Sequence, residues 1–361
     1  MPALSPMLLL LLLLHAAPPR AGAARLRAAD AQWQGRTMVD AAAGSVTFAW
    51  EGTRATVVFS GASTLTATVR SQGEAAARLR VVVDGLVAPA PLSVGGGGTL
   101  TLASGLSAAA QHTVTLWAIT DPITLSWPYI LNGSTTVLSF DTDAGGAFGP
   151  NPPPPARRLR IVGDSITAGN QISNVTCEDD HYYTYGAKLC SYFGADCQTQ
   201  AISGKGLYEN CCDGNETMVA IAERTLPGDA AALYDDGEFI PDGIILALGT
   251  NDSGHAGGNA SWIAGFTAAY ADYLVHLATR AGNLSVPIFC AVGPITHVYQ
   301  PWVQAAMAAA ALRGVRNTQL LSFVTPVDRC GHPDYDGHEA MFQTAKPTIA
   351  AALGWTPVGR L

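Results

Sequence analysis

The apolar pattern of this chain changes period across residues 144–158, AGGAFGPNPPPPARR. Four successive prolines enter neither a helix nor a central strand, because each lacks an amide proton and fixes its own φ. They favour extended polyproline geometry, which makes a stiff spacer. A docking motif for a proline-binding partner is the other use of such a run. Here, however, the run lies between two segments that each read as folded, so the chain divides into two parts.

Before the spacer the pattern is all-β. SVTFAW (45–50), TRATVVFS (53–60), STLTATV (63–69), RLRVVVDG (78–85), TLTLA (99–103) and HTVTLWAI (112–119) are short and rich in Val, Thr and Leu. Several alternate with period two, and glycine-rich turns such as GGGG at 95–98 separate them. That combination predicts an antiparallel sandwich. Asp84-Gly85 fits a hairpin turn. After the spacer, apolar runs alternate with helical patterns. RLRIVGDS (158–165), ADCQTQAISG (195–204), PDGIILALGTND (241–252), VPIFCAVGP (286–294) and TQLLSFVTP (318–326) read as strands. Residues 262–282 and 303–315 read as helices between them, and a last helix opens at His338. Near-continuous apolar strands alternating with helices predict a parallel sheet covered on both faces. The expected organisation is a leader at 1–23, a β-sandwich at 25–145, a Pro-rich linker at 146–157 and an α/β domain at 158–361.

The leader rests on seven successive leucines, Leu8 to Leu14, followed by Ala21-Gly22-Ala23. The run is shorter than the roughly 20 apolar residues a membrane span needs and fits a secretory signal peptide, although no Lys or Arg precedes it. An extracellular protein is therefore expected. Six N-x-S/T sequons, at Asn132, Asn174, Asn215, Asn251, Asn259 and Asn283, point the same way. So do seven cysteines, all after the Pro-rich run, most of which should pair in an oxidising compartment. The odd number leaves at least one free or intermolecular thiol, and their spacing matches no zinc motif. Cys211 and Cys212 are expected to bond elsewhere, because a ring between neighbours is strained. A net charge of -8 speaks against nucleic acid or an anionic membrane as partner.

In doubly wound sheets, ligands bind beyond the carboxyl ends of the strands. Four polar groups lie there, after the first three predicted strands and the last: Gly163-Asp164-Ser165, Ser203-Gly204-Lys205-Gly206, Gly249-Thr250-Asn251-Asp252, and finally Asp328-Arg329-Cys330-Gly331-His332-Pro333. A serine, a glycine, an asparagine and a histidine so converged supply what acyl transfer requires. Ser165 is a weak nucleophile until a base takes its proton, and His332 titrates in the right range to be that base. His338 competes for the role; its other reading is a helix-start or packing residue. The N–H groups of Ser165 and Gly204 and the Asn251 amide can donate to the oxyanion of a tetrahedral intermediate. Asp164 and Asp252 read as residues that hold turns. Trp262 and Trp302 follow strand ends, where they could stack on sugar or pack in a core.

GDSIT (163–167), SGKG (203–206), GTND (249–252) and HP (332–333), in that order and spacing, resemble the four blocks of the SGNH, or GDSL-like, hydrolase superfamily. VVVDG, SGLSAAAQHTVTLWAITDP and SFDTDAGGAF resemble the sandwich that precedes the catalytic domain in carbohydrate esterase family 2. The resemblance covers nearly the whole chain beyond the leader. It implies a flavodoxin-like α/β/α domain after a jelly-roll-like sandwich. It also implies acetyl esterase activity on plant polysaccharide such as xylan or glucomannan, with no metal or cofactor. Ser165 becomes the nucleophile, Gly204 and Asn251 join the oxyanion hole, and His332 is the base. The family's acid three residues before the histidine is Arg329 here, and the nearest carboxylate is Asp328. The expected partner of the imidazole is Asp328, with a backbone carbonyl as the alternative known from dyads of this type. Two competing readings remain: a short-acyl or lipid esterase, and a glycan-binding protein whose hydrolase domain is degenerate. The sequence does not fix the oligomeric state.

Overall fold

The computed structural model describes residues 22–73, 77–123, 131–214 and 216–358. The expected leader falls almost wholly outside them, as does the sequon at Asn215. Among the described residues no helix is long and apolar enough to cross a membrane.

The N-terminal part is two antiparallel sheets. The first runs Gly98–Ala103, Leu65–Gln72, Ser134–Ala144, Ser45–Phe48, Met38–Asp40, with Ala23–Arg27 also on Ser134–Ala144. The second runs Ala147–Phe148, Arg54–Ser60, Gln111–Ala118, Arg78–Val83, Leu86–Val87. Alternate residues such as Leu65, Ala67, Val69, Val114 and Leu116 point between the sheets and are buried there. The predicted hairpin turn is present: Val83 pairs with Leu86, and Asp84 and Gly85 both have positive φ, 51° and 81°, as a type I′ turn requires. Two residues of the expected linker, Ala147–Phe148, pair with Arg54–Ser60. The second sheet takes them because their amides can complete its edge. Of the expected linker, Gly146 and 149–156 are left without helix or strand.

The C-terminal part has five parallel strands in the order Ala195–Ala201, Arg157–Gly163, Gly243–Ala247, Ile288–Val292, Thr318–Ser322. This is the 2-1-3-4-5 order of a flavodoxin-like sheet. Successive residues of one strand face opposite layers. Ile244 and Leu246 join the cluster beneath the Ala260–Arg280 and Gln300–Leu312 helices. Ile245 joins the cluster beneath Tyr185–Phe193 and Tyr335–Leu353.

The sandwich is joined to this domain by buried contacts. Trp50 and Ile123 pack into the first of those clusters. The Arg36 guanidinium, 1% exposed, donates to the carbonyls of Ala222 and Arg224 and to Gln198. Arg80 pairs with Asp180 in a buried ion pair.

Candidate active site

The Arg157–Gly163 strand delivers the first element. Asp164 caps the short helix Ser165–Ala168, its Oδ1 accepting the Ile166 N–H at 3.1 Å. Gly163 is needed at this elbow, since a Cβ there would lie 2.2 Å from Thr167 Oγ1. Ser165 therefore stands at a helix N-terminus, where its own N–H has no intrahelical acceptor and is free for a ligand.

Ser165 Oγ lies 2.8 Å from His332 Nε2. On the far side of the ring, Nδ1 lies 3.0 Å from Gln171 Oε1. With the amide oxygen as acceptor, Nδ1 carries the proton and Nε2 is left to accept from the serine hydroxyl. Burial holds the His332 pKa below its usual value, against the opposing pull of the Cys330 carbonyl and the Asp328 charge. An imidazole so placed stays neutral to lower pH than a free one.

The expectation that Asp328 orients the imidazole is corrected by this geometry. The Asp328 carboxylate turns back to accept the Cys330 N–H at 2.7 Å. It closes its own loop and acts on His332 only through its charge. Arg329, at the position where the family has an acid, reaches away to the carbonyls of Asn174 and Val175. The Cys177–Cys330 disulfide ties the same two loops. The histidine loop is thereby fastened to the segment that carries Gln171. That residue has a positive φ of 54°, with its N–H held by Asp179 Oδ1 at 2.9 Å. Nothing in the family blocks points to Gln171. The signal was its place as a polar residue just past the glycine that ends the Ser165–Ala168 helix.

His338 is removed from the competition. It is fully buried, stacks on Tyr185, and its Nδ1 accepts the Tyr185 N–H at 3.2 Å. Burial pushes its pKa down to about 3. It is a packing residue.

Gly204 follows the Ala195–Ala201 strand with φ of 78°, a conformation that favours glycine. Asn251 lies on the short helix Thr250–Ser253, and one of its amide protons goes to the Lys205 carbonyl at 2.8 Å. That bond fixes the amide plane and leaves the second proton for another acceptor. Asp252 receives three successive backbone N–H groups, from Leu207, Tyr208 and Glu209, at 2.6–3.0 Å. It holds the glycine loop to the asparagine helix. The sandwich also takes part: buried Asp121 accepts the Ser203 N–H at 2.7 Å.

Ser165, Gln171, Gly204, Asn251 and His332 line one cleft of ≈ 290 Å³, together with Ile123 of the sandwich, Cys211 and Cys212. The expectation that these two cysteines bond elsewhere is overturned, since they bond to each other. No other partner is in reach: Cys177 pairs with Cys330, Cys190 with Cys197, and Cys290 is a buried free thiol. Trp262 and Trp302 do not reach the cleft walls. They pack on each other and on Phe266.

Comparison with known proteins follows the same lines. Residues 161–346 match the GDSL-like lipase/acylhydrolase family, and residues 33–152 match the carbohydrate esterase 2 N-terminal family. An acetylxylan esterase/glucomannan deacetylase of Cellvibrio japonicus is 31% identical over 131 residues, which span 34% of this chain and only 36% of that relative. A family two carbohydrate esterase from Clostridium thermocellum, solved in complex with cellohexaose, superposes with a TM-score of 0.79 at 24% identity, covering 90% of this chain and 99% of its own. An acetyl xylan esterase from the rumen bacterium Butyrivibrio proteoclasticus superposes at 0.80 with 16% identity, covering 93% and 100%. At these identities the superpositions establish the fold.

Proposed function

The chain belongs to the GDSL-like lipase/acylhydrolase family, and from that premise we propose that it is a secreted serine esterase removing acetyl groups from carbohydrate, in particular acetylated polysaccharide such as xylan or glucomannan. The observation that carries the reading is the pair Ser165 Oγ and His332 Nε2 at 2.8 Å, facing a cleft. The match of residues 33–152 to the carbohydrate esterase 2 N-terminal family supports carbohydrate as the substrate class. The Leu8 to Leu14 run and the three disulfides support an extracellular setting.

Ser165 Oγ attacks the acetyl carbonyl carbon while His332 Nε2 takes the hydroxyl proton. The carbonyl oxygen becomes an oxyanion held by the Ser165 and Gly204 N–H groups and the free proton of the Asn251 amide. The intermediate collapses, the sugar oxygen leaves with the proton from His332, and Ser165 is acetylated. Water then attacks the acetyl carbon, giving up its proton to His332; the second intermediate collapses, His332 returns that proton to the departing Ser165 Oγ, and acetate is released. Gln171 keeps the imidazole in the tautomer that can accept from Ser165. Being neutral, it offers the imidazolium a dipole where an aspartate would offer a charge.

The reading of a degenerate hydrolase domain depended on Arg329 standing in place of the acid. With Gln171 on Nδ1, the Ser–His pair is complete without that acid. The test is hydrolysis of acetylated xylan, acetylated glucomannan and an aryl acetate by the purified chain, beside a Ser165→Ala control. Acetate release lost in the control is expected. Equal release by both proteins would refute the reading, and hydrolysis confined to longer acyl esters would move it to a lipid esterase.

A further inference from the structure

The bond between Cys211 and Cys212 has no good explanation as a staple. In the chain-entropy account, a disulfide stabilises by restricting the unfolded chain, and the effect grows with the length of loop closed. Adjacent residues close the shortest loop there is. The segment that carries the pair is also held by other means. Asp252 takes the N–H groups of Leu207, Tyr208 and Glu209. Asn210 Oδ1 accepts the Gly206 N–H at 3.0 Å, and Lys205 is paired with Asp213 in a buried ion pair at 2.9 Å. The Cys211 N–H itself donates to the Gly204 carbonyl at 3.0 Å.

Its position suggests another use. Both cysteines are exposed, and both line the cleft. Their sulfurs lie 3.4 Å and 3.8 Å from the place a Cβ on Gly204 would occupy, so they flank the glycine whose N–H faces the oxyanion. The other walls are polar: Ser165, Asn170, Gln171, Asp213, Asn251 and His332. A sugar presents hydroxyls at its edge and C–H groups on its faces, and the faces need an apolar, polarisable surface. Aromatic rings usually supply it. Among the described residues lining this cleft there is no aromatic side chain. Among the described lining residues the apolar surface is Ile123 and the sulfur pair, and divalent sulfur is soft and polarisable.

We propose that the Cys211–Cys212 ring is a substrate-contacting wall, the platform on which a sugar ring of the acetylated carbohydrate lies while its acetyl group occupies the oxyanion site. The proposal rests on the carbohydrate esterase reading above. It makes the pair a determinant of carbohydrate over small-ester specificity.

Two measurements test it. In Ser165→Ala protein, the rate at which a water-soluble phosphine opens the 211–212 bond is followed by alkylation and mass spectrometry, with and without saturating acetylated xylo-oligosaccharide. Protection of at least fivefold is expected. Saturable binding without protection overturns the proposal alone; no saturable binding, with no hydrolysis by the parent protein, sinks the carbohydrate reading and this proposal with it. The second measurement is steady-state kinetics of Cys211→Ala/Cys212→Ala protein. The ratio of kcat/KM on the oligosaccharide to that on an aryl acetate should fall about tenfold, chiefly through KM. An unchanged ratio, with kcat lowered equally on both substrates, would show that the pair only shapes the loop and would overturn the proposal.

Discussion

Gln171 accepts from His332 Nδ1 where a carboxylate is the usual partner. A neutral acceptor fixes the tautomer while favouring the imidazolium less than a carboxylate would, and burial holds the pKa below its usual value. The acid limb of kcat/KM is therefore expected below pH 6.5, because the base works only when unprotonated. Gln171→Glu would place a charge on Nδ1 and move the limb upward. Gln171→Ala should lower kcat by about tenfold to a hundredfold through loss of the orienting bond. A pH–rate profile of the three proteins checks both; a limb that does not move in the Glu variant would show that residue 171 does not act on the imidazole. Asn251 is the other residue with two competing uses. The described sequon residues Asn132, Asn174, Asn259 and Asn283 are exposed, whereas Asn251 is half-buried with one amide proton committed to Lys205. A glycan would consume the remaining one. Glycopeptide mass spectrometry of active protein should find Asn251 unoccupied. Asn251→Ala should lose about 10²–10³ in kcat, the usual cost of one oxyanion donor.

At the level of elements, the sequence exposes whatever its periodicity carries. The five parallel strands, the long helices at Ala260–Arg280, Gln300–Leu312 and Tyr335–Leu353, and the polar groups after the strands could all be read there. The longest sandwich strand, Ser134–Ala144, was legible only as a family likeness at its end. Its alternation breaks at a register shift between Val137 and Ser139, and its Ser and Thr content hides what its backbone does. The helix Tyr185–Phe193 was missed because it is only nine residues long. Gln171 was out of reach for a different reason: its role depends on a loop brought across by Cys177–Cys330 and Arg329, contacts that no local pattern encodes. One contact between elements yields a prediction. Asp121 Oδ2 accepts the Ser203 N–H next to the oxyanion glycine. Asp121→Ala leaves that amide unpaired, a loss of about 1–3 kcal/mol. It should lower kcat with little change in KM. Asp121→Asn, whose amide oxygen still accepts, should restore it. Equal damage by both variants would mean that the charge, not the hydrogen bond, matters.

At the level of the whole molecule, the prolines mark a change of pattern but not a separation of parts. The sandwich supplies Ile123 to the cleft, Asp121 to the oxyanion loop, and Arg78 and Arg80 to the 178–180 segment behind Gln171. Buried Arg36 and Trp50 close the seam. The cleft proposed as the active site is thus lined and braced from both parts of the chain, which is why neither half alone shows all of it. The Cys177–Cys330 bond adds a consequence of its own. It joins residues separated by 153 positions, with Ser165 just ahead of one end and His332 just beyond the other. A protease that cuts the backbone anywhere between the two cysteines leaves Ser165 and His332 on a single covalent piece. Where a protease meets it, this chain can be nicked without Ser165 and His332 being parted.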